Sequence, residues 1–330
     1  MRLGFCALAL LALALLALVG LASPPALAAE KVRLSVLKFG TVSWLLDTIQ
    51  ANKLDKAEGI ELDIVPLAST QATTIGLQGG SADIIATDWL WVSRERTSGG
   101  EFTFSPFTTA LGSIMVPPDS PIKTLADLKG KKLGVAGGPL DKSWLLIVAY
   151  ALRTANIDLR TETRQEFGAP PLLAERAKQG ALDAVLNFWP YAARLEAVGF
   201  TQLIGVEDVV RELGAKGEVA MVGYVFSESW AKENPKAVDG FLRAAKKADE
   251  LLATSDEEWQ RLKPLMQVED EATFEALRRR YREGIPERPV SQNEADAKVL
   301  YQFLREFGGE RLVGAGNELA PGTFWHGGKS

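Results

Sequence analysis

The chain has 330 residues, of which 47% are hydrophobic and 24% are charged, and its formal net charge is −5. This composition is typical of a globular protein of about two domains, and it excludes a disordered or fibrous chain. A mildly acidic chain lacks the excess basic charge that non-specific nucleic-acid binding requires, so we expect no nucleic-acid partner.

The chain contains one cysteine, Cys6, and one histidine, His326, which lies close to the C-terminus. A single cysteine excludes a disulfide within the chain. Nucleophilic triads need an imidazole as base, and structural zinc sites need four Cys or His ligands. We therefore predict that the protein is not an enzyme, with no catalytic residue, no metal site and no cofactor.

The N-terminal segment has the pattern of a secretory signal peptide. Arg2 supplies a positive charge, residues 3–22 are uncharged, and the sequence Ala26-Leu27-Ala28 is a small-x-small cleavage site. The alternative is an uncleaved membrane anchor, because an apolar run of about 20 residues can span a bilayer. No cysteine follows the cleavage site, so the predicted product is a soluble protein of the periplasm, with residues 1–28 removed.

Strand-like and helix-like patterns alternate along the rest of the chain. This alternation is typical of an α/β fold with mostly parallel sheets. The predicted strands are residues 32–37, 60–65, 84–86, 132–136, 161–167 and 183–186. The predicted helices are residues 44–54, 72–77, a helix from the turn at 137–138 through 153, 172–179, 238–252 and 271–281.

Residues 78–94 are echoed one hundred residues later. The shared positions are Gly80 and Gly180, Asp83 and Asp183, Trp89 and Trp189, Trp91 and Tyr191, and Arg94 and Arg194. Coincidence is the alternative, because Gly after a helix and Asp before a strand are common. The aromatic and arginine matches favour two similar lobes, each with an aromatic residue just past the carboxyl end of a strand.

Two further segments carry a resemblance to a known family. Residues 121–135, PIKTLADLKGKKLGV, resemble the entry to the second lobe of type II periplasmic solute-binding proteins. Residues 234–244, which contain NPKAV and FLRA, resemble a helix of the nitrate/sulfonate/taurine/thiamine-precursor family of ABC importers. The resemblance covers about residues 31–260, and its motifs specify the fold better than the ligand.

This resemblance implies a two-lobed type II periplasmic-binding-protein fold with two crossovers between the lobes. The expected domains are lobe 1 at 29–112, lobe 2 at 113–224, and a helical second part of lobe 1 at 225–330. The implied function is capture of a small molecule by hinge closure and its delivery to an ABC importer permease by a monomeric protein. The alternatives are a periplasmic sensor or delivery protein and, more remotely, a pyrimidine-forming enzyme of the thiamine type.

Polar and aromatic side chains follow several predicted strands, at the edge where open α/β sheets bind ligands. The alternatives are core packing for the tryptophans and helix capping for Thr41, Ser43 and Asp88. The Gly-rich stretch 134–143 lacks the Gly-Lys-Ser sequence of a phosphate-binding loop, but its turn offers backbone N–H groups to a ligand. The candidate ligand-binding residues are Thr41, Ser43, Trp44, Asp88, Trp89, Gly137, Gly138, Ser143, Trp144, Asn187, Trp189 and Tyr191.

The chemistry of these residues predicts an organic ligand. Flat aromatic walls suit an apolar or π face or a cation, and a carboxylate at Asp88 would repel nitrate or a bare sulfonate and attract an amine or a ring N–H. We therefore expect a small organic molecule that is aromatic or bears an amine, and the family resemblance adds a sulfonate-bearing ligand to these expectations. In this interpretation Trp89 and Trp189 come from opposite lobes and converge on one cleft.

Overall fold

The architecture is taken from a computed structural model that describes residues 29–38, 40–268 and 270–328. The predicted signal peptide lies outside these residues. Among the described residues, no helix is long and apolar enough to cross a membrane. Strands are numbered β1 (Glu30–Leu37), β2 (Ile60–Leu67), β3 (Ile84–Asp88), β4 (Phe102–Thr108), β5 (Gly112–Val116), β6 (Lys132–Ala136), β7 (Arg164–Gly168), β8 (Ala184–Phe188), β9 (Thr201–Gly205) and β10 (Val222–Ser227).

Helices occupy most of the remaining described chain, and a short 3₁₀ turn spans Leu125–Leu128. The helices are α1 (Val42–Ala51), α2 (Leu54–Ala57), α3 (Thr70–Gln78), α4 (Trp89–Thr97), α5 (Lys142–Ala155), α6 (Leu159–Glu162), α7 (Pro170–Lys178), α8 (Trp189–Ala197), α9 (Val206–Glu212), α10 (Glu228–Glu233), α11 (Pro235–Thr254), α12 (Asp256–Met266), α13 (Glu271–Glu283), α14 (Val290–Gly308) and α15 (Glu310–Val313).

The strands form two five-stranded sheets of matching topology. Sheet A has the order β2-β1-β3-β10-β4, and sheet B has the order β7-β6-β8-β5-β9. In each sheet the fourth strand, β10 or β5, is antiparallel to both of its neighbours. Four of the five strands in each sheet therefore run in one direction, which confirms the predicted two-sheet α/β fold with mostly parallel strands.

The chain crosses between the two sheets twice. It leaves sheet A after β4 and returns to it at β10. The predicted boundary at residue 224 falls inside β10, and two helices that follow it, α13 and α14, contact α8 and α5 on the side of sheet B. The C-terminal helices thus pack against both halves of the molecule, and the division into lobes at residues 112 and 224 stays a prediction.

The repeat seen in the sequence is a structural repeat. The units α3–β3–α4 and α7–β8–α8 have identical bounds when one hundred residues are added to the first. Gly80 and Gly180 both adopt a φ of +71°, a left-handed conformation that favours glycine. Asp83 accepts the Arg33 N–H at 2.8 Å, and Asp183 accepts the Lys132 N–H at 2.7 Å. These two acidic residues fix the same strand edge in each sheet, so the correspondence is confirmed.

Local signals explain one difference between prediction and structure. The sequence pattern predicts one strand over residues 161–167, but the chain forms α6 before β7. The Asp158 carboxylate accepts the Arg160 N–H at 3.0 Å and caps this short helix. An N-cap of this kind satisfies a backbone donor that would otherwise be free, so it favours a helical turn over an earlier start of the strand.

Candidate functional site

A cavity of about 350 Å³ lies where elements that follow strands of sheet A meet the loop after β6 of sheet B. We call it the Asp88 cavity. On the side of sheet A it is lined by Thr70, Gln71 and Thr74 of α3, by Thr87 and Asp88 of β3, and by Leu90, Trp91 and Arg94 of α4. The opposite wall consists of Leu140, Asp141 and Lys142, and Leu312 of α15 completes it.

The Asp88 carboxylate caps a helix with one oxygen and contacts a lysine across this cavity with the other. Its Oδ1 accepts the Trp91 N–H at 2.8 Å and so caps α4. Its Oδ2 lies 3.5 Å from Nζ of Lys142, which begins α5 beside sheet B. The capping alternative for Asp88 is therefore correct, and one carboxylate oxygen also faces a cation from the opposite wall.

Asp141 and Lys142 give the wall beside sheet B its charge. Oδ1 of Asp141 accepts the N–H groups of Ser143 at 2.9 Å and Trp144 at 3.1 Å, and so caps α5. Burial raises the pKa of the Asp141 carboxyl, although Lys142 and the two backbone donors oppose this shift. Burial alone would lower the pKa of Lys142, but Asp88 and Asp141 together raise it. Lys142 is therefore a cation that pairs with Asp88 across the cavity.

One backbone N–H of the glycine turn after β6 is hydrogen-bonded within the sheet. Gly137 has a φ of +87°, and its N–H donates to the Gly168 carbonyl at 3.0 Å. This bond extends the pairing of β6 with β7, so that N–H is already used and does not face a ligand. Gly138 is partly exposed beside it, and the side chain of Ser143 is buried at the start of α5.

The four candidate tryptophans lie in different surroundings. Trp89 is fully buried, and its ring contacts Phe324 at a centroid distance of 6.4 Å. Trp144 is also buried, and its ring meets the exposed Phe167 edge-on at 6.4 Å. Trp44 and Trp189 meet each other edge-to-face at 6.1 Å.

Trp89 and Trp189 do not converge, contrary to the expectation from the repeat. They belong to separate apolar clusters, and Trp89 does not line the Asp88 cavity. The physical reason is that each ring packs against a partner from the C-terminal part of the chain, Phe324 for Trp89 and Tyr281 for Trp189. The repeat fixes the position of each backbone but not the surroundings of each ring.

The polar candidates near the other strand ends are occupied by local bonds. The Ser43 hydroxyl donates to the Gly40 carbonyl at 2.6 Å, and Thr41 precedes α1 without a side-chain capping bond. The Asn187 side chain is fully buried, donates to the Pro170 carbonyl at 3.0 Å and accepts the Phe188 N–H at 2.9 Å. Tyr191 is half-buried at the start of α8. A binding role for these residues stays a prediction.

The structure adds residues that the sequence pattern did not single out as ligand contacts. Arg94 lines the Asp88 cavity, and its position in the repeat is visible in the sequence although the repeat alone assigns it no binding role. Phe167 and Phe188, at the carboxyl ends of β7 and β8, expose more than a third of their surface, but they are not among the residues that line the two cavities.

A second cavity of about 270 Å³ lies beside the first crossover, at Thr109, Ala110 and Leu111. Trp189, Glu207 and Arg280 are among its other lining residues. Oε1 of Glu207 accepts the Leu111 N–H at 2.7 Å, and burial raises the pKa of this carboxyl. Among the described residues, no group of His, Cys, Asp and Glu side chains has the arrangement of a metal site.

Comparisons with known proteins support the fold described above. A family model described as NMT1/THI5 like matches residues 56–258. The periplasmic aliphatic sulphonate binding protein SsuA from Escherichia coli is similar, with a TM-score of 0.71 and 22% identity over 91% of this chain and 94% of that one. No match was found among curated protein sequences.

Two further solved structures with a similar fold are a binding protein and an enzyme. The alkanesulfonate-binding protein SsuA from Xanthomonas axonopodis pv. citri, bound to MOPS, has a TM-score of 0.66 and 20% identity over 90% of this chain and 99% of that one. The desulfurization enzyme DSZB has a TM-score of 0.57 and 17% identity over 84% of this chain and 92% of that one. At these identities the likeness establishes the fold, and a fold can host both binding proteins and enzymes.

Proposed function

The chain belongs to the NMT1/THI5-like family, and from this premise we propose that it is the periplasmic solute-binding component of an ABC importer. The observation that supports this proposal best is the Asp88 cavity, whose opposite walls come from elements of sheet A and sheet B. A cavity between two bodies joined by two crossovers suits a small molecule that is captured by closure. In this proposal the ligand is a small organic molecule, and the permease is the partner that receives it.

Binding rather than catalysis is the function that the side chains support. The single histidine, His326, is exposed and pairs with Glu294 at 2.7 Å. It is not among the residues that line the two cavities. The enzyme DSZB shares the fold, but among the described residues that line the Asp88 cavity none carries an imidazole or a thiol to act as a base or nucleophile.

We expect ligand binding to stabilise the protein and to bring the two halves closer together. A ligand at one hundred times its dissociation constant adds about 2.7 kcal/mol, which corresponds to a rise of the melting temperature on the order of 5 °C. A thermal-shift screen of small metabolites on refolded, ligand-stripped protein would find such a ligand. X-ray scattering with that ligand should then give a smaller radius of gyration, because a ligand that contacts both walls favours the closed state.

Two results would contradict this proposal. Scattering curves that superimpose with and without saturating ligand would exclude capture by closure. Unchanged uptake of the same ligand by cells that lack the protein would exclude delivery to an importer and favour a sensor or delivery protein without transport. Light scattering in the same experiments would test the expected monomer.

A further inference from the structure

A cluster of ion pairs joins α8, beside sheet B, to the C-terminal helix α13. Oε1 of Glu196 lies 2.6 Å from Nη2 of Arg279, and Oε2 of Glu196 lies 3.3 Å from Nη2 of Arg280. The same nitrogen of Arg280 donates to Oε1 of Gln202 in β9 at 2.9 Å. One carboxylate of α8 thus pairs with two consecutive arginines of α13. We call Glu196, Arg279 and Arg280 the α8–α13 cluster.

Helix α13 is fastened to sheet A, so the ion pairs connect the two halves of the molecule. The carbonyl of Gly284, just after α13, accepts the Thr109 N–H at 2.9 Å and the Thr108 hydroxyl at 3.2 Å, where the chain leaves β4. Phe274 and Leu277 of α13 are buried in the same apolar cluster as side chains of β1. Helix α8, in contrast, packs against β5 and β8 of sheet B. The α8–α13 cluster therefore links elements that belong to different sheets.

A second polar contact of α8 also reaches the C-terminal helices. Arg194 donates to the Met266 carbonyl at 2.8 Å and to the Gln267 carbonyl at 3.4 Å. Met266 is the last residue of α12, and the C-terminal end of a helix carries a partial negative charge that attracts a cation. Helix α12 contacts α1 beside sheet A. Both charged side chains of α8 thus meet groups of opposite charge in the other half.

The repeat provides a comparison for position 196. Its counterpart in α4 is Arg96, which pairs with Glu228 at 2.8 Å and donates to the Phe102 carbonyl at 2.9 Å. Phe102 begins β4, and Glu228 directly follows β10, so both partners belong to sheet A. The ion pair of the first unit stays within one half, whereas that of the second unit crosses between halves. The crossing contact is therefore not a requirement of the repeated unit.

The α8–α13 cluster is open to water and salt. The side chain of Glu196 is 38% exposed and that of Arg279 is 44% exposed. Ion pairs of this exposure contribute little to the stability of one rigid body. They can still shift an equilibrium between two arrangements of similar free energy, because such an equilibrium responds to small differences. Their attraction is also screened, since the Debye length falls from about 30 Å in 0.01 M salt to about 3 Å in 1 M salt.

We propose that the α8–α13 cluster is a salt-sensitive latch between the two halves, and that screening or removing it shifts the protein towards a more open arrangement. This proposal goes beyond solute binding, because it concerns the protein without a solute. Its test needs no ligand, so its failure would leave the proposed solute-binding function standing.

Spin labels on the two halves measure the expected opening. The single natural cysteine, Cys6, lies in the predicted signal peptide, so a chain without residues 1–28 is labelled only at introduced cysteines. Gln78→Cys at the end of α3 and Lys178→Cys at the end of α7 place one exposed label on each half. Distance distributions from pulsed electron spin resonance should contain a larger share of longer distances in about 1 M salt than in about 0.01 M salt.

Glu196→Gln should open the protein in low salt, because it removes the charge that both arginines share. The ratio of shorter to longer distances should fall about 2- to 10-fold, and its dependence on salt should become weaker. The matched control is Glu166→Gln. Glu166 of β7 pairs with Arg176 of α7 at 2.8 Å, with a similar exposure but within one half. This control should keep the distances and the salt dependence of the wild type.

Charge reversal separates attraction between the halves from a general loss of structure. Glu196→Lys should open the protein further than Glu196→Gln, because Arg279 and Arg280 then repel the new cation. Adding Arg279→Glu to Glu196→Lys should recover part of the shorter distances, since the pair is restored with its charges exchanged. A merely structural role of position 196 would not give this recovery.

Three results would overturn the proposal. The first is a distance distribution that is the same in Glu196→Gln and in the wild type at low salt. The second is an equal shift in Glu196→Gln and Glu166→Gln, which would assign the opening to net charge rather than to the α8–α13 cluster. The third is a failure of Arg279→Glu to restore any of the shorter distances in Glu196→Lys.

Discussion

Replacing Trp189 by alanine is expected to lower the free energy of unfolding by about 3–5 kcal/mol, because it empties the space of a large buried side chain. Only 8% of Trp189 is exposed. Its ring, at the start of α8 beside sheet B, meets Trp44 of α1 beside sheet A at 6.1 Å and Tyr281 of α13 at 6.3 Å. The melting temperature should fall by about 5–15 °C, as measured by calorimetry.

The same substitution should also loosen the association of the two halves. Edge-to-face aromatic pairs contribute about 0.5–1.5 kcal/mol beyond their buried area, and the pair of Trp44 and Trp189 joins helices from both sheets. We therefore expect the ligand-free variant to have a larger radius of gyration than the wild type under native conditions.

Trp89→Ala is the matched control for this effect. Trp89 occupies the equivalent position of the repeat and is fully buried, but its ring contacts Phe324, which pairs with β4 of sheet A. This variant should lose a similar amount of stability without the increase in radius of gyration. An equal increase in both variants would show that the pair of Trp44 and Trp189 does not hold the halves together.

Local sequence patterns were sufficient for the repeated units of the fold. Gly80 and Asp83 define the end of a helix and the edge of a strand, and both have counterparts one hundred residues later with the same conformation or the same kind of bond. The residue types and their spacing are visible in the sequence. The strand in each unit and the helix before it were therefore predictable.

The tertiary contacts of the candidate site side chains depend on residues that are distant in the sequence. The surroundings of Trp89 are completed by Phe324, and those of Trp189 by Tyr281. The Asn187 amide is satisfied by the Pro170 carbonyl, which no spacing rule indicates. A sequence pattern identifies which residues follow a strand, but it does not give the tertiary contacts that decide between the core and the cavity.

The second large effect is a change of stability with pH, and it arises from Asp249, whose carboxylate contacts the Tyr281 hydroxyl. Burial raises the pKa of Asp249 to about 7, although the hydrogen bond from the Tyr281 hydroxyl, at 3.2 Å, opposes this shift. Burial also raises the pKa of Tyr224, whose hydroxyl has no hydrogen-bond partner among the described residues, and the charge of Asp249 adds to this shift. Ionised Asp249 is thus disfavoured in the folded protein.

The sign of the resulting pH dependence follows from the folded and unfolded states. The unfolded chain releases the Asp249 proton near pH 4, whereas the folded protein keeps it up to about pH 7. Between these values the folded state binds more protons, so the contribution of Asp249 to stability decreases as the pH rises. Above about pH 7 both states are ionised, and the loss is complete.

Asp249→Asn should remove this loss of stability at higher pH, while its amide oxygen still accepts the hydrogen bond from the Tyr281 hydroxyl. The variant is expected to match the wild type near pH 4 and to be more stable by about 3–4 kcal/mol at pH 8, as measured by denaturant unfolding across this range. Glu250→Gln, at the exposed neighbouring position, is the control and should have a much smaller effect. If the difference between Asp249→Asn and the wild type is the same at every pH, the pKa of Asp249 does not change when the protein unfolds, and burial does not destabilise its ionised form.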